Sequence, residues 1–167
     1  MDSATLRGRR GIEWSRASAA RARGWRLAID KPSLLGSGEG MATIVVDPQC
    51  EVWGVLYDIT ASDFEHLELT EGVRIDHYRR TEIVVEPLVT GEAAAEPSVP
   101  ALTVTSDERN PSLRPTRRYM RLLVSGAQEH GLPATWIERL RSIEAVEESA
   151  EQAALRAYLD RAIKKPA

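Results

Sequence analysis

A chain of 167 residues, 43% hydrophobic and 28% charged with a net charge of −3, has the size and composition of one folded domain, residues 1–167. That composition is far from the collagen-like and disordered extremes, and at that length folding buries roughly 70% of the surface the unfolded chain exposes. The mild negative charge gives no reason to expect nucleic acid as a partner.

The single cysteine, Cys50, has no mate for an internal disulfide and no neighbouring ligand for zinc. A reducing, cytoplasmic setting without metal or cofactor is therefore expected. No apolar run approaches the roughly 20 residues of a membrane-spanning helix, and the first residues lack the apolar core of a secretion signal. No membrane partner is expected.

The N-terminus is basic: Arg7, Arg9, Arg10, Arg16, Arg21, Arg23 and Arg26 face only Asp2 and Glu13. A transit peptide, a basic arm and a solvated helix face all fit this composition. The helix face is the expected reading, because Ile12, Trp14, Trp25 and Leu27 are scattered among the arginines. Residues 31–40 (KPSLLGSGEG) then read as a loop.

Residues 41–46 (MATIVV) and 51–59 (EVWGVLYDI) are strand-like and flank Asp47-Pro48, a turn signal, so a hairpin is expected. Ser62 with Glu65 forms a capping box for a short helix over 62–69, ending near Glu71-Gly72. Residues 73–88 carry Tyr78 and the run Ile83, Val84, Val85, which is strand chemistry. A loop over 91–100 interrupts it, and 101–105 (ALTVT) resumes it.

From residue 110 the period lengthens. Pro115 suits a first helical turn, and Tyr119, Leu122, Leu123 and Ala127 share one face. His130-Gly131-Leu132-Pro133 ends that helix and starts another, on which Trp136, Ile137, Leu140 and Ile143 are spaced for burial. Residues 147–164 read as a last helix, within a C-terminal helical tail over 145–167. The expected class is α+β: a small mixed, barrel-like sheet with surrounding helices and a helical C-terminal third.

Little chemistry is marked. There is no Gly-rich phosphate loop and no nucleophile elbow, and Cys50 adjoins Glu51 with no basic neighbour to activate it. His66, His77 and His130 are scattered and read as surface or cap residues. Carboxylates remain. Glu71 stands apart because Gly72 follows it at a helix-to-strand junction, where a sharp turn can project a side chain into a cavity. By pattern alone a Glu-Gly pair is also an ordinary exposed turn.

Ordered segments add to this. The run EVWGVLY from Glu51, then LTEGV over 69–73, Tyr78-Arg79-Arg80, the stretch from Pro115 to Tyr119 and GAQEHGLP over 126–133 together resemble the gamma-glutamylcyclotransferase family, also called AIG2-like. Residues 23–27 (RGWRL) and 40–44 (GMATI) resemble its earlier strands. The resemblance implies a small mixed barrel and a reaction in which the α-amine of a γ-glutamyl group attacks its own γ-carbonyl, giving 5-oxoproline and a free amine. It implies Glu71 as general base, Tyr119 as a substrate-contacting residue, Tyr78 as a pocket neighbour, and a small γ-glutamyl compound as partner. A carboxylate suits the task, since an ammonium group must lose a proton before it can attack.

The family's first strand and its Tyr-Gly-Ser-Asn loop have no counterpart here, for Met1 falls just after their place. The expectation is a start at a downstream methionine, with weakened activity. A non-catalytic small-ligand or protein-binding module on the same fold is the alternative. Residues 101–105 also lack the aromatic residue often found at that strand in the family.

Overall fold

The computed structural model describes residues 2–34, 36–88 and 97–162. Strands β1 (Arg16–Pro32), β2 (Gly40–Asp58), β3 (Arg79–Pro87) and β4 (Val99–Thr105) form one antiparallel sheet in the order β2-β1-β3-β4. Helices α1 (Ala61–Thr70), α2 (Arg117–Glu129), α3 (Ala134–Arg141) and α4 (Ala150–Ala162) complete the α+β architecture. The loop expected over 91–100 lies mostly outside the described residues.

The basic N-terminal region is not a solvated helix. Only Ala4–Arg9 is helical, as a π-helical piece, and just before it the Asp2 carboxylate accepts from the Thr5 amide at 3.1 Å and the Thr5 hydroxyl at 2.7 Å. Leu6 and Ile12 anchor this segment in the interior. Arg16, Arg21, Arg23 and Arg26 instead lie on β1. Alanine and arginine favour helix by only tenths of a kcal/mol per residue, and tertiary contacts outweigh that. Pairing with β2 runs the length of β1, and Ala19, Ala20 and Ala22 pack in the core with Val85, Met120, Ala127, Trp136 and Leu140. Arg21 is held by Glu86 at 2.5 Å and Glu51 at 3.3 Å, with Arg23 on Glu86 at 2.8 Å.

The expected hairpin over 41–59 is instead the single strand β2. Its partner is β1, with Arg23 opposite Glu51 and Trp25 opposite Val46. Residues 47–50 therefore stand against Gly24 alone, as a bulge. The turn chemistry at Asp47 is present, its carboxylate accepting from the Gln49 amide at 3.2 Å, but it produces the bulge and no chain reversal. Residue 24 sits at φ +76°, a value glycine tolerates without strain.

Among the described residues the sheet is open, not a closed barrel. β1 and β3 pair only at Ala20 with Pro87 and Arg21 with Glu86. The outer strands approach at one end, where the Ser106 amide, just past β4, donates to the Thr43 hydroxyl of β2 at 3.0 Å.

Helix α1 starts two residues earlier than the capping box suggests. Thr60 is its cap, accepting from the Asp63 amide at 3.1 Å and donating to the Asp63 carboxylate at 2.8 Å, which makes Ser62 and Glu65 ordinary helical positions. Residues 73–78 are not strand: Val73–Ile75 is a 3-10 turn, and β3 begins only at Arg79. At α2 the cap is Thr116, so Pro115 precedes the helix. Its end matches expectation: His130 caps, Gly131 takes φ +66°, and the Leu132 amide reaches the Ala127 carbonyl at 2.9 Å. Pro133 caps α3, whose Trp136 and Leu140 are buried, while Ile143 lies beyond its end. No helix of the described residues is long and apolar enough to cross a membrane.

Candidate active site

Glu71 is the residue at which α1 ends. Its amide still bonds the Leu67 carbonyl at 2.9 Å, and the chain then turns through Gly72 at φ +71°. The Gly72 carbonyl accepts from the Ile75 and His77 amides, both at 3.1 Å, which folds residues 71–78 into a tight knot. A β-carbon at position 72 would stand 3.0 Å from the His77 β-carbon, so the turn demands glycine on both conformational and steric grounds. This knot brings the side chains of Glu71, His77 and Tyr78 to one end of the sheet.

The Glu71 carboxylate is mostly enclosed, with 18% of its side chain exposed, and it is not empty-handed. Nη1 of Arg10 donates both to Glu71 Oε1 and, at 2.8 Å, to the hydroxyl of Thr70. The Thr70 hydroxyl in turn donates to the Leu67 carbonyl at 2.9 Å. Arg10 lies at the junction between the π-helical piece and β1, one of the arginines whose individual role the N-terminal charge pattern does not show.

Tyr78 and Tyr119 meet at one residue of the sheet edge. The Tyr78 hydroxyl donates to the Ala42 carbonyl at 2.9 Å, and the Ala42 amide donates to the Tyr119 hydroxyl at 3.2 Å. A strand residue points its N–H and C=O the same way, and β2 is an edge strand. The two phenols thus satisfy backbone groups that no neighbouring strand reaches. Their roles are unequal: Tyr78 spends its hydrogen on Ala42, whereas Tyr119 accepts there and donates to no group among the described residues. Burial pushes the Tyr119 phenol up to about 12 and the Tyr78 phenol higher still. The Glu71 charge raises both further and the Arg10 charge opposes it, which places all four groups in one electrostatic neighbourhood.

Sequence reasoning missed Lys31 and His77. Lys31, assigned to a loop, ends β1 with a fully buried side chain. Its Nζ donates to the Pro32 carbonyl at 2.8 Å, lies 3.0 Å from both ring nitrogens of His77, 3.5 Å from Glu108 and 4.8 Å from the Tyr78 ring centre. Burial lowers the Lys31 pKa, opposed by Glu108 and Glu71. Burial and then the Lys31 charge lower that of His77. Nothing local in the sequence marks the pair, because its members are brought together only by the knot and the end of β1.

The remaining candidates stand elsewhere. Asp47 holds the Cys50 thiol above its ordinary value, so it is a poor nucleophile. His130 caps α2 and bonds the Tyr57 hydroxyl at 2.9 Å. His66 Nε2 is buried without a partner among the described residues. No group of three or more His, Cys, Asp or Glu among the described residues is arranged to hold a metal. An open cavity of about 280 Å³ lined by Leu27, Ile29, Leu113, Arg114, Arg139 and Ile143 shares no residue with the Glu71 group.

A small antiparallel sheet flanked by helices, with the Glu71 knot and two tyrosines gathered at the edge of β2, defines an α+β protein. The AIG2-like family matches residues 51–140, more than half of the chain, and the chain belongs to that family. The matched segment includes Glu71, His77, Tyr78 and Tyr119, but not Arg10 or Lys31.

Human gamma-glutamylcyclotransferase is 33% identical over 105 residues, 63% of this chain and 52% of that protein, and the mouse protein gives the same figures. The match thus spans about half the length of these curated relatives. Among solved structures, a gamma-glutamyl cyclotransferase superposes with a TM-score of 0.73 at 23% identity, covering 94% of this chain and 92% of that one. An uncharacterized human protein superposes at 0.67 and 25% identity, covering 90% and 88%. These likenesses establish the fold.

Proposed function

We propose that the chain acts on a small γ-glutamyl amine or amino acid, releasing 5-oxoproline, with Glu71 as the general base. The observation that carries this reading is a mostly enclosed carboxylate, held by the Gly72 knot, in the electrostatic neighbourhood of Tyr119, whose hydroxyl accepts from Ala42 and donates to no group among the described residues. In the reaction, Glu71 takes a proton from the substrate's α-ammonium group, and the freed amine attacks the γ-carbonyl carbon. The new C–N bond closes the five-membered ring and places negative charge on the former carbonyl oxygen. The Tyr119 hydroxyl, kept protonated by its raised pKa, is suited to donate to that oxygen. As the bond to the leaving amine breaks, Glu71 returns the first proton to the leaving nitrogen, the extra proton on the ring nitrogen passes to the released amine, and the products are the neutral lactam, an ammonium group and the regenerated carboxylate. Tyr78 serves as a pocket neighbour that fixes the sheet edge. No step requires a metal or a cofactor. A cytoplasmic setting belongs to the same reading and is supported by the lone cysteine.

Incubation with γ-glutamyl amino acids and with glutathione, followed by assay of 5-oxoproline, tests the proposal. Glu71→Gln should abolish turnover, and a variant that forms product at the wild-type rate removes Glu71 from the role of base.

One observation favours a second reading, a binding module without catalysis: the base is paired with Arg10. Under that reading γ-glutamyl ligands raise the melting temperature while no 5-oxoproline appears.

A further inference from the structure

We propose that Arg10 is a built-in occupant of an ammonium subsite formed by Glu71 and Thr70, displaced when the α-ammonium of a γ-glutamyl ligand binds. The inference rests on the reading of Glu71 as the base and says what that base does before substrate arrives.

The geometry is that of one nitrogen between two acceptors. A single atom, Arg10 Nη1, donates to both the Glu71 carboxylate and the Thr70 hydroxyl, the latter at 2.8 Å. Thr70 and Glu71 are consecutive at the end of α1, so their acceptors form one cradle sized for a nitrogen with several hydrogens. An ammonium group, with three donors on one atom, meets the same requirement.

The exchange also suits the energetics. A partly buried carboxylate left without a partner is costly, and replacing one cation by another avoids that state. Both members of the present pair retain a path to solvent, with 14% of the Arg10 and 18% of the Glu71 side chain exposed. The Arg10 backbone need not move, since Leu6 and Ile12 on either side are anchored in the interior. Rotation of one long side chain clears the cradle.

The chemical difference between the two cations gives the arrangement its purpose. A guanidinium holds its proton at every accessible pH, so the base cannot be spent on it. An α-ammonium group titrates near pH 8 and can surrender its proton to Glu71. The resting pair keeps the base aligned and occupied until a cation able to lose a proton replaces the guanidinium.

The test compares the wild-type protein with Arg10→Gln and Arg10→Lys in titrations with γ-glutamylalanine, followed by calorimetry. Removing the competing charge should tighten binding about tenfold, the size of effect that one opposite charge exerts on a carboxylate. Arg10→Lys should bind as the wild type does. Methylguanidinium should weaken binding in Arg10→Gln by refilling the cradle, and leave the wild type unaffected. Equal or weaker binding by a folded Arg10→Gln protein makes Arg10 a strut and overturns the proposal, while the role of Glu71 stands. If none of the three proteins binds γ-glutamylalanine at millimolar concentration, the functional reading itself fails and this inference with it. Should Arg10→Gln not fold, the wild type still decides: ligand must move the Arg10 side-chain Nε–H resonance toward that of free arginine, and an unmoved signal overturns the displacement.

Discussion

Replacing Gly72 by alanine separates two costs that the structure shows side by side. Position 72 has φ +71°, and position 131 has nearly the same, φ +66°. An alanine forced into the left-handed region costs about 1–2 kcal/mol at either site. The sites differ in what a β-carbon meets. At 131 there is nothing within 4 Å, whereas at 72 the His77 β-carbon stands 3.0 Å away and Ile75 Cγ1 3.4 Å away. The His77 β-carbon is fixed to the backbone of the same knot and cannot swing aside, so the knot must open. We therefore expect Gly131→Ala to lose about 1 kcal/mol and Gly72→Ala about 2–3 kcal/mol, the excess being overpacking. At this size each kcal/mol lowers the melting temperature by about 2–4 °C.

The functional difference should be larger than the thermodynamic one. Opening the knot displaces Glu71, and a misplacement of about 1 Å can cost roughly a hundredfold in rate. Gly131→Ala, at the far end of α2, should retain activity in proportion to its folded fraction. Urea denaturation of both variants, paired with 5-oxoproline release, checks the argument. If Gly72→Ala costs no more stability than Gly131→Ala, the close approach to His77 does not govern the knot and the reasoning is refuted.

Tyr119→Phe removes the acceptor of the Ala42 amide and should cost about 1 kcal/mol by urea denaturation, with a fall in kcat of roughly ten- to a hundredfold if its hydroxyl hydrogen faces the developing oxyanion. Tyr78→Phe should cost similar stability with a smaller kinetic effect, because its hydrogen is already committed to Ala42; equal kinetic losses would contradict that division. His77 has a folded pKa below its unfolded value near 6.5. Between those two values the unfolded chain binds more protons than the folded one, so this group makes stability rise with pH through that window and adds no slope on either side of it. The groups facing the ring are Lys31, Tyr78, Glu108 and Glu71. His77→Gln should flatten the slope just below about pH 6.5 in urea titrations, and an unchanged slope would assign it to another group.

Local chemistry marked several features correctly and misplaced others by a few residues. The termination of α2 at His130-Gly131-Leu132 was legible because a glycine-dependent stop is made by neighbouring residues alone. So was Glu71-Gly72 as a junction. The start of α1 was misread since two overlapping signals compete, and Thr60 with Asp63 forms the reciprocal pair that Ser62 with Glu65 also offers. Asp47-Pro48 signalled a turn that became a bulge, because a turn motif does not say whether the chain reverses.

The sequence by itself determined the family and the α+β class, since each depends on the order and type of residues along the chain. Tertiary structure alone decided that an alanine- and arginine-rich segment is a strand, because pairing with β2 and close packing under α2 outweigh weak helical preference. It alone also decided that Arg10 and Thr70 share one nitrogen's bonds with Glu71, that two phenols 41 residues apart close on Ala42, and that Lys31 lies buried beside His77. Those are contacts between residues distant along the chain. Burial and charge act through space, and no local pattern records where the fold will bring such groups together.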